Sequence, residues 1–229
     1  MKVLAMDTSS QALSVALLDG ERLVAEVTLN VKKNHSMSLM PAIDFLVKSV
    51  GWTPADLERI VVAEGPGSYT GLRVAVATGK TLAYALKIDL VGVSSLYALA
   101  SGQDFDGLVV PLMDARRNHV YAGFYVNGRA VQTDQHVAFA QVLERVANEE
   151  KVTFVGEVEA FRSQIEEKLP AARMVATLPS AYAIGCLGQT LPAVDVDAFV
   201  PQYLKRVEAE ENWLKNHATG DETNYVKRV

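Results

Sequence analysis

Eleven residues, AEGPGSYTGLR at positions 63–73, set three glycines and a proline between an apolar run and a stretch of helical character. Glycine reaches positive φ and lets a backbone approach a ligand, and a following helix N-terminus offers free N–H groups and the positive end of its dipole. Gly65, Gly67, Ser68, Thr70 and Gly71 are thus candidates to receive an anion such as a phosphate. A tight strand-to-helix connection capped by Ser68 or Thr70 is the alternative use of the same residues. Asp7-Thr8-Ser9-Ser10 follows the first apolar strand. A carboxylate with hydroxyls there can hold a hydrated magnesium ion or orient a phosphate, and can equally make local turn hydrogen bonds.

Other chemistry is excluded or weak. Gly79-Lys80-Thr81 is not a phosphate-binding P-loop, because Val74 stands where the motif needs a further glycine. His35, His119, His136 and His217 form no i,i+4 pair and no HExxH, so no metal site is expected from them. Cys186 is the only cysteine, which rules out an intramolecular disulfide and a thiolate cluster; it reads as a small core residue on an apolar helix face. No catalytic residue is nominated. A net charge of −5 argues against an independent nucleic-acid binder. No apolar leader follows Met1 and no run reaches the length of a membrane span, so a soluble cytoplasmic protein is expected.

The elements that must position these residues follow from periodicity. KVLAMD, ALSVALLDG and ERLVAEVTLN read as a three-stranded meander with Asp19-Gly20 as a hairpin turn. From Ser36 to Val50 apolar residues recur at helical spacing, with Pro41 near the start. Thr53-Pro54-Ala55-Asp56 is a helix-start signature before strand RIVVA. TGLRVAVATGKTLAYALK reads as a long helix, LVGVS as a strand and SLYALA as a short helix. The segment from Met113, MDARRNHVYAGFYVNGRAV, repeats the pattern of MDTSSQALSVALLDGERLV from Met6, with Asp-to-Gly distances of 14 and 13 residues. A duplicated lobe explains this better than two unrelated meanders. Strands and helices then alternate, implying crossover connections and partly parallel sheets. The expected units are 1–103, completed by 194–229, and 104–193, with residues 208–229 a frayed helix or disordered.

LAMDTSSQALSVALLDG, EGPGSYTGLRVAVATGKTLA and MDARRNHVYAGFY together resemble the bacterial TsaB (YeaZ) proteins, and HSMSLMPAI, GVSSLYALA and VPQYLKR extend the likeness over residues 1–206. That family takes part in making N6-threonylcarbamoyladenosine at position 37 of tRNAs reading codons that begin with adenine. The resemblance implies an α/β fold of two duplicated RNase H-like lobes, as in actin, sugar kinases and Hsp70. The catalytic paralogue TsaD binds a metal through a histidine pair in a segment resembling VNHLEGH. Here VSSLYAL puts Ser95 and Leu99 at those positions. The second phosphate loop, MDARRNH, has no glycine, and FVGEVEAF has one glycine where an adenosine motif has two.

The resemblance therefore implies a non-catalytic partner of TsaD with a degenerate nucleotide cleft at Asp7, Thr8, Ser9, Gly65, Gly67, Ser68, Thr70 and Gly71. No cofactor of its own is expected. ATP or ADP and magnesium belong to the junction with TsaD and the ATPase TsaE, and tRNA is reached through the complex. The family's pairing surface falls on the two long helices, here Met37, Met40, Ile43, Leu46 and Val47, then Leu72, Arg73, Val76 and Leu82. Apolar residues in excess of one face can serve a core and a partner at once. The alternative is that all of them are core and that Arg73 makes an ordinary surface ion pair. The competing functions are a weak ATPase, an M22-type glycoprotease-like enzyme, and a regulator that homodimerises through the same surface.

Overall fold

The computed structural model describes residues 1–31, 34–101 and 105–205. The tail 208–229, expected as a frayed helix or disordered, and His217 lie outside these residues.

The chain opens with β1 (Lys2–Asp7), β2 (Leu13–Asp19) and β3 (Arg22–Leu29), followed by α1 (His35–Ser49), β4 (Arg59–Gly65), α2 (Tyr69–Leu86), β5 (Asp89–Ser94) and α3 (Ser95–Ala100). It repeats this plan with β6 (Leu108–Asp114), β7 (His119–Val126), β8 (Arg129–Ala138), α4 (Phe139–Val146), β9 (Val152–Gly156), α5 (Arg162–Lys168), β10 (Arg173–Val175) and α6 (Ala181–Gly188). The sheets run β3-β2-β1-β4-β5 and β8-β7-β6-β9-β10, each with antiparallel pairing in its meander and parallel pairing beyond. The duplication seen from Met6 and Met113 is thus a duplicated sheet, and both first strands end on an aspartate.

β1 is a continuous apolar run because helices cover both faces of its sheet. Leu4, Met6 and Val62 pack beneath α1 and α2, whereas Val3, Ala5 and Val61 pack beneath α6. Edge strand β3 has one covered face and alternates accordingly. The helix-start signature at Thr53 makes a single 3₁₀ turn, Pro54–Asp56, rather than a longer helix.

One correction concerns the unit boundary. The last helix of each lobe packs on the other lobe's sheet: Leu96 and Leu99 of α3 bury against Val109, Met113 and Val155, and Ala181 and Ile184 of α6 bury against the first sheet. Gly188 lets α6 lie so close that a Cβ there would sit 2.5 Å from Val61. The chain therefore returns to the first lobe at residue 181, not 194, and Val194, Val196 and Phe199 extend that return. Among the described residues no helix is long and apolar enough to cross a membrane.

Candidate functional site

β1, β4 and β5 are parallel, so Asp7, Gly65 and Ser94 all emerge at one edge of the first sheet, facing the second lobe. There the glycine loop lies against the turn after β1. Ser68 donates its N–H to Ser9 O at 2.6 Å, and Thr8 Oγ1 donates to Gly71 O at 2.7 Å. Ser68, not Thr70, caps α2, its Oγ accepting from Gly71 N–H at 3.3 Å. A Cβ on Gly67 would sit 2.4 Å from Ser9 O, one on Gly71 2.0 Å from Thr8 O, and one on Gly65 2.3 Å from Gln202 O. Close backbone approach at all three glycines ties the loop to the turn after β1 and to the returning segment, and Gly67 also borders the open cleft. Of the eight expected anion-site residues, Ser9, Gly67, Ser68 and Thr70 line the open cleft between the lobes, while Asp7, Thr8, Gly65 and Gly71 do not.

Asp7 is fully buried. Its Oδ1 accepts Ser9 N–H at 2.7 Å, and among the described residues its Oδ2 has no hydrogen-bond partner. Burial pushes the carboxyl up to about 6, against the opposing pull of the Ser9 hydrogen bonds and of His35. The folded chain thus holds this proton more tightly than the unfolded chain does, and stability falls as pH rises from the ordinary carboxylate range through about 6. An Asp7→Asn variant should lack this loss, so the difference between the two proteins in denaturant titrations should change by about 3 kcal/mol between acid and neutral pH. A constant difference would show that Asp7 does not titrate there.

The cleft holds about 650 Å³ and takes Met113, Asp114, Arg116 and Glu157 from the second lobe and Tyr203 and Lys205 from the returning segment. Arg116, Arg117 and Asn118 all adopt positive φ, so the loop keeps a backbone that glycine favours without containing glycine. Glu157 follows Gly156, and its Oε2 accepts Asp114 N–H at 2.8 Å. Burial and then the Asp114 charge raise the Glu157 carboxyl above its ordinary range. Asp114 and Glu157 share this wall with Arg116, and Lys205 joins them from the returning segment, so carboxyls and cations both face the glycine loop across the cleft. The positions of the paralogue's metal histidines hold no ligand pair. Ser95 and Leu99 are buried in α3, Ser95 Oγ has no partner, and Leu99 belongs to the core between the lobes. Among the described residues no three His, Cys, Asp or Glu side chains gather to hold a metal.

The two helices expected to pair with a partner divide sharply. Ile43, Leu46 and Val47 of α1 and Leu72 and Val76 of α2 are buried in this chain's own core, and Leu82 is partly buried against it. These six are corrections to the expected surface: the stripe that a helix lays on its sheet is spent there. Met37 and Met40 are exposed, as is Arg73, whose Nε donates to Tyr203 OH at 3.1 Å and whose guanidinium stacks 4.1 Å over the Tyr69 ring. Among the described residues Arg73 makes no ion pair. Sequence reading missed Phe45, 64% exposed, and Tyr84, 73% exposed. Phe45 lies eight residues after Met37, on the stripe opposite Leu39 and Ile43, and that spacing was the available signal.

The family described as TsaD, tRNA N6-adenosine threonylcarbamoyltransferase, matches residues 22–213. A Bacillus subtilis (strain 168) relative named tRNA threonylcarbamoyladenosine biosynthesis protein TsaB is 41% identical over 227 residues, 94% of this chain and 99% of its own length. The Escherichia coli (strain K12) protein of the same name is 30% identical over 128 residues, 55% of each chain. Among solved structures, YeaZ from Pseudomonas aeruginosa superposes with a TM-score of 0.74 at 26% identity, covering 88% of this chain and 100% of its own. An activator of 2-hydroxyisocaproyl-CoA dehydratase from Clostridium difficile, solved with ADPNP, shares the fold at a TM-score of 0.51 and 11% identity, over 85% of this chain and 100% of its own.

Proposed function

The chain belongs to the TsaB family of tRNA threonylcarbamoyladenosine biosynthesis proteins, and from that premise we propose that it serves as the non-catalytic docking subunit of TsaD. The observation that carries this reading is the apolar outer surface of α1 and α2, where Met37, Met40, Phe45 and Tyr84 stand exposed above a complete core. Large apolar side chains kept in water on two adjacent elements are what a partner surface requires.

The division of labour follows from the site chemistry. Threonylcarbamoyl transfer needs an activated carbonyl, and Ser95 and Leu99 supply no metal ligands for it. TsaD provides that chemistry, and TsaE joins at or near the junction. ATP or ADP and magnesium are used there. An acidic chain meets tRNA through the assembled complex, in the cytoplasm.

Co-elution of the purified chain with TsaD from a sizing column tests the pairing. If the chain forms a homodimer through the same surface, TsaD should dissolve it, and a homodimer that persists within the complex would contradict a shared surface. The isolated chain should bind ADP with magnesium more weakly than about 1 mM by calorimetry. Micromolar binding would return the ATPase reading to the front.

A further inference from the structure

Beside the cleft, on the β5 edge of the first sheet, two carboxyls from opposite lobes face each other. Glu64, next to the last residue of β4, lies over Gly92 of β5, where a Cβ would come within 2.2 Å of its Oε2. Asp134 of β8 lies over Gly123 of β7, where a Cβ would sit 2.8 Å from its Oδ1. Ser94 Oγ, at the N-cap of α3, donates to Asp134 Oδ2, and the Tyr125 hydroxyl is 3.4 Å from both Ser94 Oγ and Asp134 Oδ1. Among the described residues no hydrogen bond reaches the Glu64 carboxyl, whose strongest charge interaction is with Asp134. A cavity of about 370 Å³ opens here between the lobes.

The charged and titratable groups lining it are Glu64 from β4, Tyr97 from α3, Tyr125 from β7 and Arg129 from β8, with Asp134 of β8 joined to the lining through Ser94 and Tyr125; α6 contributes only Leu187 and neighbouring Leu191 is apolar. Arg129 is exposed. Among the described residues the polar contacts here are the Ser94 hydroxyl's bond to Asp134 and the Tyr125 hydroxyl's longer contact with Ser94, beside two like charges.

We propose that Glu64 and Asp134 form a proton-operated latch between the lobes: with a proton on one carboxyl the joint closes, and with both ionised it loosens while each lobe stays folded. Burial raises both carboxyls, and the Asp134 charge raises Glu64 further. The closed joint thus binds a proton more tightly than an opened one, so closure weakens as pH rises out of the ordinary carboxylate range through the raised values. The latch borders the joint in which Leu96, Leu99, Val109 and Val155 pack, so loosening it frees the pivot on which the cleft would open.

Hydrogen exchange of the intact chain, corrected for the intrinsic pH dependence of amide chemistry, reads the joint directly. Between about pH 5 and pH 8 the corrected exchange of peptides spanning 89–100 and 119–138 should rise severalfold, while peptides within β1 and β2 stay flat. Asp134→Asn keeps an acceptor for Ser94 and removes one charge; Glu64→Gln keeps the shape and removes the other. Each variant should hold the joint at its low-pH protection throughout. Flat exchange in the unaltered chain, or an unchanged rise in Glu64→Gln, would overturn the latch, and the second variant decides the matter even where Asp134→Asn does not fold.

Discussion

Replacing Met40 or Phe45 with aspartate is expected to weaken TsaD binding at least about 100-fold, the loss of a central apolar anchor, with no comparable effect on folding. Both side chains are exposed in the free chain, so a charge there meets water, and unfolding stability should change by no more than about 0.5 kcal/mol. Ile43→Asp makes the contrast. Ile43 lies on the same helix but is 5% exposed within the core under α1, so its carboxylate would be buried without a partner and should cost about 3–5 kcal/mol of stability. Calorimetric binding beside a denaturant melt separates the two. The account requires a folded non-binder from Met40 or Phe45 and an unstable protein from Ile43. Normal binding by both folded variants would remove the outer face of α1 from the interface.

Gly71→Ala is expected to be the most damaging single-methyl change in the first lobe. The new carbon would stand 2.0 Å from Thr8 O and 3.1 Å from Thr8 C, and neither backbone atom can swing aside as a side-chain tip would. The N-terminus of α2 must retreat, breaking the Thr8 Oγ1–Gly71 O bond and drawing Ser68 from Ser9. A cost of about 3 kcal/mol or more, near 10 °C in melting temperature for a chain of this size, is the scale for such overpacking. Gly20→Ala is the control: its φ of 59° also disfavours a side chain, but nothing lies within 4 Å, so only about 1 kcal/mol is at risk. Equal losses in the two variants would mean that conformational freedom, not close approach, explains the glycine at 71. Because α2 also carries Arg73 and Tyr84, its displacement should weaken TsaD binding as well as stability.

These two predictions show where sequence and structure part. The strands around Asp7 and Asp114, the hairpin at Asp19-Gly20 and the long helices were legible because alternation and helical spacing are local properties. The exchange of α3 and α6 between lobes was not, since an apolar helix face does not say which sheet it will cover. The same indifference misassigned Ile43, Leu46, Val47, Leu72 and Val76: α1 and α2 have apolar residues on two stripes, and only the sheet beneath decides which one is spent in the core. The glycine loop was ambiguous for another reason. A phosphate cradle and a tight backbone connection call for the same residues at 65, 67 and 71, and no local pattern reveals the close approach of Thr8, Ser9 and Gln202 to these glycines. Glu64 and Asp134 lie 70 residues apart and no local pattern connects them.

The central claim, a docking subunit that TsaD needs, is tested most directly by reconstituting the modification from purified TsaD, TsaE, the enzyme that forms threonylcarbamoyl-adenylate, ATP, threonine, bicarbonate and tRNA, and quantifying modified nucleoside. Product should form with the intact chain, fall to background without it, and stay at background with Met40→Asp in proportion to lost TsaD binding. Full product in the absence of the chain would contradict the account.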